Sequence, residues 1–355
     1  MIVHRLEKNP ILKPEDIAAY HDDHEVIGVF NAGVAELNGE TLLLLRVAER
    51  PVQNNPDEVK TTVVDFSYGE PQVKVLSLKK DDEGYDFSDP RTILFNETQR
   101  RTAFLTSLSY IRIARSSDGK SFTVDDAPFI YPEIAAESWG VEDPRVTQIE
   151  DTYYIQYSAI SDKGVAVGLV STKDFVSYER LGLIFPPENK DVAIFPEKMN
   201  GKYYALHRPV PKGIGQPEIW LAESDNLLYW GNHQHLLGLS EDGWDNGRIG
   251  GGAVPFKTSQ GWLEIYHAAD RDDRYCLGAV LLDLEDPSKV LAKTKEPILA
   301  PEADYETNGF FGDVVFTCGV TLQNQSLRIY YGVSDTSMAV CEVALDDILS
   351  RLTDV

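Results

Sequence analysis

At 355 residues, 43% hydrophobic and 25% charged, the chain has the composition of a folded globular protein with a sizeable core. Its 57 acidic and 33 basic residues give a formal net charge of −24, which opposes nonspecific attraction to nucleic acid or anionic membrane, so neither is expected as a partner. No run approaches the ~20 apolar residues that a membrane span needs.

Residues 1–25 read as an N-terminal extension with a short helix at Pro14–Tyr20. Residues 31–46 then open a repeat: an apolar strand, a tight polar or Gly-containing turn, and an aromatic or leucine-rich return strand. The pattern recurs at 144–158, 193–208, 253–267 and 314–335, with turns at Asn38-Gly39, Glu150-Asp151, Asn200-Gly201, Ser259-Gln260-Gly261 and Gln323-Asn324-Gln325. After each hairpin comes a second unit of strand, Ser/Asp turn and hydrophobic anchor, from IRIARSSDGKSF to MAVCEVALDDIL. In the first copy, residues 51–110 form an insertion with strand-like runs at 61–66 and 72–78 and a polar excursion over one face at 80–102. A helix is expected at 345–352.

Hairpin plus hairpin makes a four-stranded blade, and five copies predict an all-β, five-bladed β-propeller over 1–355 with short N- and C-terminal helical segments. A sandwich is the alternative, which the paired-hairpin repeat disfavours. Cys276, Cys318 and Cys341 are odd in number and lie in apolar runs, so they are expected as reduced packing residues. The opening MIVHRLEKNP has no leader pattern, and a cytoplasmic protein is expected.

A hairpin's first strand begins, and its second ends, at the same end of the blade, so five pairs of ends should converge on a central pocket. The polar residues there are Asn31 with Arg46, Asp143 and Arg145 with Ser158, Lys190 with Arg208, Arg248 with His267, and Asp313 with Asp335. An Asp-Pro step often only opens a turn, as Glu285-Asp-Pro287 does, but Asp143 stands at an inner-hairpin start opposite a cation and is the candidate proton donor. Arg46, Lys190 and Arg208 would each pass as solvated strand-end charges; grouped in so acidic a chain, they suit an oxyanion. His267 is expected to contact ligand rather than act as a base. No metal is expected: His233-Gln-His235 lacks a third ligand and reads as a surface turn. Gly250-Gly-Gly252 and Asp118-Gly-Lys-Ser121 read as structural, Tyr153, Tyr203 and Tyr330 as packing, and Trp139 as a sugar-stacking candidate.

Taken together, Asn9-Pro-Ile-Leu12, Phe30-Asn-Ala-Gly33, Leu45-Arg-Val47, Gly140-Val-Glu-Asp-Pro-Arg145, Asn189-Lys-Asp191, Phe195-Pro-Glu-Lys198, His207-Arg-Pro209, Arg248-Ile-Gly-Gly-Gly252, Tyr266-His267, Tyr330-Tyr-Gly332 with Asp335, and Ala344-Leu-Asp-Asp-Ile348 resemble glycoside hydrolase family 130, the β-mannoside phosphorylases and related mannosidases. The resemblance spans nearly the whole chain. It implies a five-bladed propeller in which Asp143 is the general acid of an inverting reaction. It further implies that Lys190, Arg208 and Arg248 hold inorganic phosphate with His267 nearby, and that Asn31, Arg46 and Asp335 hold the mannosyl unit. Lys190 stands where many relatives have Arg, and Arg248 where many have Lys, which keeps the charge and changes the hydrogen-bond geometry. Glu142, taken as substrate-binding, and Lys190-Asp191 resemble the branch acting on β-1,2-mannobiose and β-1,2-oligomannans. The implied partners are a β-mannoside and phosphate as co-substrate, without a cofactor; the N-terminal segment and final helix are candidates for a homo-oligomer interface.

Three rival functions stay open at this level. One is an inverting β-mannosidase using Asp143 with Asp313 or Glu142 as base, another a phosphorylase of a different linkage such as mannosyl-glucose, and the third a noncatalytic sugar-binding propeller.

Overall fold

All five expected hairpins form, four of them across turns with left-handed residues. Asn38 and Gly39 have φ of 52° and 84°, and Asn200 and Gly201 52° and 81°, the paired positive φ that matches the right-handed twist of flanking strands. The computed structural model describes residues 3–98 and 101–354, so part of the 80–102 excursion lies outside the described residues.

The strands group into five antiparallel units, each of four strands except the fourth, which has six. The first comprises His24–Leu37, Glu40–Pro51, Leu108–Ser116 and Thr123–Val124, and the second Gly140–Ile149, Thr152–Ser161, Gly164–Thr172 and Glu179–Phe185. The third runs from Asn189–Ile194 through Tyr203–Pro209 and Ile219–Ser224 to Trp230–Leu237. In the fourth, Arg248–Gly250 and Phe256–Lys257 both pair with Trp262–Ala269, followed by Tyr275–Leu282 and Val290–Thr294. The fifth contains Val315–Gln323, Ser326–Val333 and Ser337–Ala344. Single parallel pairs, Gly33 with Cys318 and Ser109 with Gly140, join the fifth, first and second units into one twelve-stranded sheet.

Four expectations need correction. The last unit has no second hairpin: Ser337–Ala344 runs into a helix at Leu345–Leu349, and its outer partner is His4–Arg5 from the other end of the chain. That helix stops short of 352, because Leu352–Asp354 pairs instead with Val290–Thr294. At the N-terminus only Pro14–Asp16 is helical, as one 3-10 turn. The 80–102 excursion carries a three-stranded sheet of Tyr85–Asp86, Thr92–Phe95 and Thr102–Leu105, beside a two-stranded sheet of Glu58–Asp65 and Gln72–Lys79.

The architecture is therefore all-β. Leu42, Leu43, Leu44 and Leu45 are each 0% exposed, so both faces of their strand are covered, and truncating one to Ala costs about 2–5 kcal/mol. All three cysteines are buried and unpaired. Among the described residues no helix is long and apolar enough to cross a membrane.

Candidate active site

Three hairpins carry the same irregularity at the same place. Residues 31 and 32 face one residue between the pairs Phe30–Arg46 and Gly33–Leu44; residues 143 and 144 do so between Glu142–Ser158 and Arg145–Gln156, and residues 191 and 192 between Lys190–Arg208 and Ala193–Leu206. In each bulge the first residue is left-handed, with φ of 50° at Asn31, 49° at Asp143 and 56° at Asp191. Asn and Asp are the non-glycine residues that best tolerate this conformation, and a bulge re-aims a side chain. Here it brings Asn31 and Asp143 into contact and aims Asp191 at Arg145, Arg208 and His267.

Asn31 Nδ2 donates to Asp143 Oδ1 at 3.0 Å, and Arg46 Nη1 donates to the same oxygen at 3.0 Å. Arg46 Nη2 donates to Glu142 Oε1 at 2.8 Å, its Nε to Ser109 Oγ at 3.1 Å, and its guanidinium lies 4.6 Å from the Phe30 ring centroid. Phe30, Asn31, Arg46, Glu142 and Asp143 line a pocket of about 310 Å³ together with Lys190, Asp335, Tyr275 and Phe316. Arg91 reaches the pocket from the three-stranded insertion, stacked 3.9 Å from the centroid of Phe311, which also lines it.

Beneath this pocket is a second polar layer. Asp191, 1% exposed, is 2.6 Å from Arg208 Nε and 3.2 Å from His267 Nε2 through Oδ2, and 3.3 Å from Arg145 Nη2 through Oδ1. Arg248 stands apart: it pairs with Asp273 and lies 5.1 Å from the Tyr275 ring centroid.

Burial alone would raise Asp143, but Arg46, Lys190 and the Asn31 hydrogen bond outweigh it and hold the carboxyl below its ordinary range. Its neighbour Glu142 goes the other way, because burial and the Asp143 charge exceed the pull of Arg46. Burial likewise pushes Asp335 up to about 6. Asp191 is buried too, yet Arg208, His267 and Arg145 keep it well below the usual carboxylate range. Burial depresses His267 to about 4, so its ring is neutral at neutral pH.

Of the nine predicted site residues, Asn31, Arg46, Glu142, Asp143, Lys190 and Asp335 line the pocket. Arg208 and His267 belong to the Asp191 layer, and Arg248 touches the pocket wall through Tyr275. The hydrolytic base candidate Asp313 is exposed and is not among the lining residues. Trp139 packs against Phe104, at 6.0 Å between centroids, while the aromatic walls are Phe30, Tyr275, Phe310, Phe311 and Phe316. His233 and His235 lie on the strand Trp230–Leu237 rather than in a turn, against His207 and Glu218.

Sequence reasoning placed Arg145 among the polar strand ends without giving it a role and noted Asp191 only beside Lys190, although in the structure Asp191 opens the same left-handed bulge as Asn31 and Asp143. It also passed over His21, His24 and Glu49, whose candidate ligand atoms lie within 4.8 Å of one another. Those atoms are engaged in hydrogen bonds: Glu49 with His21, Tyr20 and Tyr110, His21 also with Tyr131, and His24 with Asp22 and Thr62.

A family model described as beta-1,4-mannooligosaccharide phosphorylase matches residues 103–354. The chain is 54% identical to a beta-1,2-mannobiose phosphorylase of Listeria innocua over 352 residues, 99% of each chain. It is 42% identical to a 1,2-beta-oligomannan phosphorylase of a Thermoanaerobacter species over 244 residues, 68% of this chain and 80% of that one. The solved structure of the Listeria innocua beta-1,2-mannobiose phosphorylase, in complex with beta-1,2-mannobiose, superposes with a TM-score of 0.96 over 99% of both chains. With site, sequence and fold in agreement, the chain belongs to glycoside hydrolase family 130.

Proposed function

We propose that the chain phosphorolyses β-1,2-linked mannosides, mannobiose or short oligomannans, with inversion, releasing α-mannose 1-phosphate. The observation that carries this reading is the joint presence in one pocket of a buried acid, Asp143, and a free-standing cation, Lys190, with Arg208 held behind them by Asp191. The β-1,2 linkage is supported by the 54% identity over 99% of a β-1,2-mannobiose phosphorylase.

In this reading Asn31, Arg46, Glu142 and Asp335 hold the mannosyl unit, and Lys190, Arg208, Arg248 and His267 serve phosphate. Phosphate is already anionic, so no base is needed to activate the nucleophile, and one acid suffices. Asp143 is ionised in the free site; an arriving phosphate dianion offsets Lys190 and favours protonation of Asp143. A phosphate oxygen attacks the anomeric carbon opposite the leaving oxygen. The glycosidic C–O bond breaks as the new C–O–P bond forms. The Asp143 proton passes to the leaving oxygen, through a mannosyl hydroxyl where the carboxyl is set back, and solvent restores it. No metal or cofactor enters the step.

An inverting hydrolase would need a second carboxylate about 6.5–9.5 Å from the acid, across the sugar. Asp313 is exposed, and Glu142 grips the same guanidinium as Asp143 and so lies beside it. Both observations weigh against hydrolysis.

The five antiparallel units are read as the blades of a single propeller domain, with 1–25 as an extension and 51–110 as an insertion in the first blade. The Gly33–Cys318 pair between the fifth and first units supports closure, as does Arg145 of the second unit reaching Gly251 and Gly252 near the fourth. A cytoplasmic location fits the three unpaired cysteines.

Incubation of β-1,2-mannobiose with and without phosphate, followed by phosphorus and proton NMR, tests the function. Phosphate-dependent formation of α-mannose 1-phosphate is expected. Free mannose released at an equal rate without phosphate would make the chain a hydrolase, and a β-phosphate product would imply retention through a nucleophilic carboxylate about 5–5.5 Å from the acid.

A further inference from the structure

The fourth hairpin departs from the bulge pattern of the first three. Gly250 pairs with His267, and Ala253 N–H next reaches Ile265 O, so residues 251 and 252 occupy the bulge without a side chain. Side chains do not fit there: a Cβ on Gly252 would lie 2.2 Å from Ile265 O, and one on Gly250 2.4 Å from Asp191 Oδ2. The polar group comes from the opposite strand instead. Glu264, 0% exposed, accepts the Gly252 N–H through Oε1 at 2.8 Å, while its Oε2 has no hydrogen-bond partner among the described residues.

The carbonyls of that bulge hold a cation. Arg145, 1% exposed, donates Nη2 to Gly251 O at 2.7 Å and Nε to Gly252 O at 2.9 Å, and Nη1 to Asp143 O at 3.1 Å. Its Nη2 is also 3.3 Å from Asp191, the carboxylate that fixes Arg208 Nε and His267 Nε2. An unbroken chain of polar contacts therefore runs from Glu264 through the bulge and Arg145 to Asp191 and Arg208.

We propose that Glu264 is a positioning residue for the phosphate side of the pocket: by pinning the Gly251–Gly252 backbone it sets Arg145, and through Arg145 the Asp191 carboxylate that aims Arg208 and His267. The proposal rests on the phosphorolysis reading above. Glu264 acts as a neutral acid, since burial pushes its carboxyl well above the usual range and Arg145 offsets this only in part. An apolar side chain of equal size would leave the buried Gly252 N–H unpaired. Arg145 and Asp191 make no side-chain contact with Asn31, Arg46 or Asp335, and the chain meets the acid's strand only at the Asp143 backbone carbonyl, so the effect on KM falls mainly on phosphate.

Initial rates at varied phosphate and varied mannobiose, for wild type, Glu264→Gln, Glu264→Met and Glu264→Asp, provide the test. Gln keeps the acceptor oxygen and should stay within about threefold of wild type in both KM values, whereas Met, which leaves a buried donor unpaired, should raise the phosphate KM about tenfold or more with the mannobiose KM nearly unchanged. Asp retracts the acceptor by one methylene and should shift the phosphate KM in the same direction, which keeps the test decisive if the Met variant does not fold. Equal shifts in both KM values, or a Gln variant as impaired as Asp or Met, overturn the proposal. A wild-type enzyme whose turnover ignores phosphate overturns the functional reading itself, and this inference with it.

Discussion

Arg46 and Asp143 meet at 3.0 Å, and the same guanidinium holds Glu142 at 2.8 Å, so one cation serves two adjacent buried carboxyls. The two are not equivalent. Asp143 has the further support of Asn31 and is held low, whereas Glu142 lacks it and is held high. The reading that gives Asp143 the mobile proton therefore separates the two by mutation. Asp143→Asn should fold and bind mannobiose yet lose about 10²–10⁴-fold in kcat, the usual worth of a general acid. Glu142→Gln should act mainly on the mannobiose KM. Near-normal turnover of Asp143→Asn would remove it from the mechanism.

The cations of the phosphate side differ in what else they hold, which predicts a graded response. Lys190 lines the pocket, and its side chain has no hydrogen bond or ion pair among the described residues, so Lys190→Ala should weaken phosphate by about 1.5–3 kcal/mol at little cost in stability. Arg208→Ala removes a partner of buried Asp191 and should lower both phosphate affinity and Tm. Arg248 is already paired with Asp273, and its truncation should have the smallest effect of the three. Phosphate KM and thermal melts on the three variants read this order directly; a reversed order would misplace the phosphate.

Local signals made much of this legible in the sequence. Asn38-Gly39 and Asn200-Gly201 announce hairpins because their φ demands restrict the choice of residue, and strand-end polarity marked Asn31, Arg46, Asp143, Lys190 and Asp335, five of the six site residues that line the pocket, while Glu142 came from the family resemblance. What failed was non-local. Nothing near residues 344–349 indicates that the outer strand is His4–Arg5, more than 330 positions away along the chain. Trp139 lies near Asp143 in sequence but packs against Phe104 and is not among the pocket's lining residues, whereas Arg91 of the insertion stacks on Phe311 in the pocket wall, an approach no periodicity encodes. The three-stranded insertion sheet was hidden by the shortness of its strands, two to four residues each, too few for an alternation to show.

Asp335 provides a test by pH. Its carboxyl is raised from 3.8 to about 6, mainly by burial, so above about 6 the folded state carries a buried charge that the unfolded chain hydrates freely. As pH falls from about 6 to below 3.8 the group becomes protonated in both states and the cost shrinks towards zero. Asp335→Asn should therefore be more stable than wild type at pH 7, by about 2 kcal/mol, with most of that gain lost at pH 4. The same variant should bind mannobiose more weakly. Melting curves at the two pH values check the sign; a variant destabilised at pH 7 would mean that Asp335 is held as a paired anion.

Gly332 faces Asn31 so closely that an added Cβ would stand 2.2 Å from Asn31 Oδ1, 2.9 Å from its backbone nitrogen and 3.1 Å from Phe30 Cβ. Two of these three neighbours cannot rotate away, because the nitrogen belongs to the left-handed bulge and Phe30 is in the core. Gly332→Ala should therefore displace the bulge, at a stability cost of about 1–3 kcal/mol typical of overpacking. The effect on catalysis should exceed the effect on folding. Asn31 Nδ2 stabilises the ionised form of Asp143, so its displacement should move the Asp143-linked limb of the pH–rate profile to higher pH and lower kcat. Gly39→Ala is the contrasting control: it strains a turn at φ 84° with nothing within 4 Å, so Tm should fall while the pH profile stays in place. An unshifted profile in Gly332→Ala, with kcat intact, would show that Asn31 does not set the protonation of Asp143.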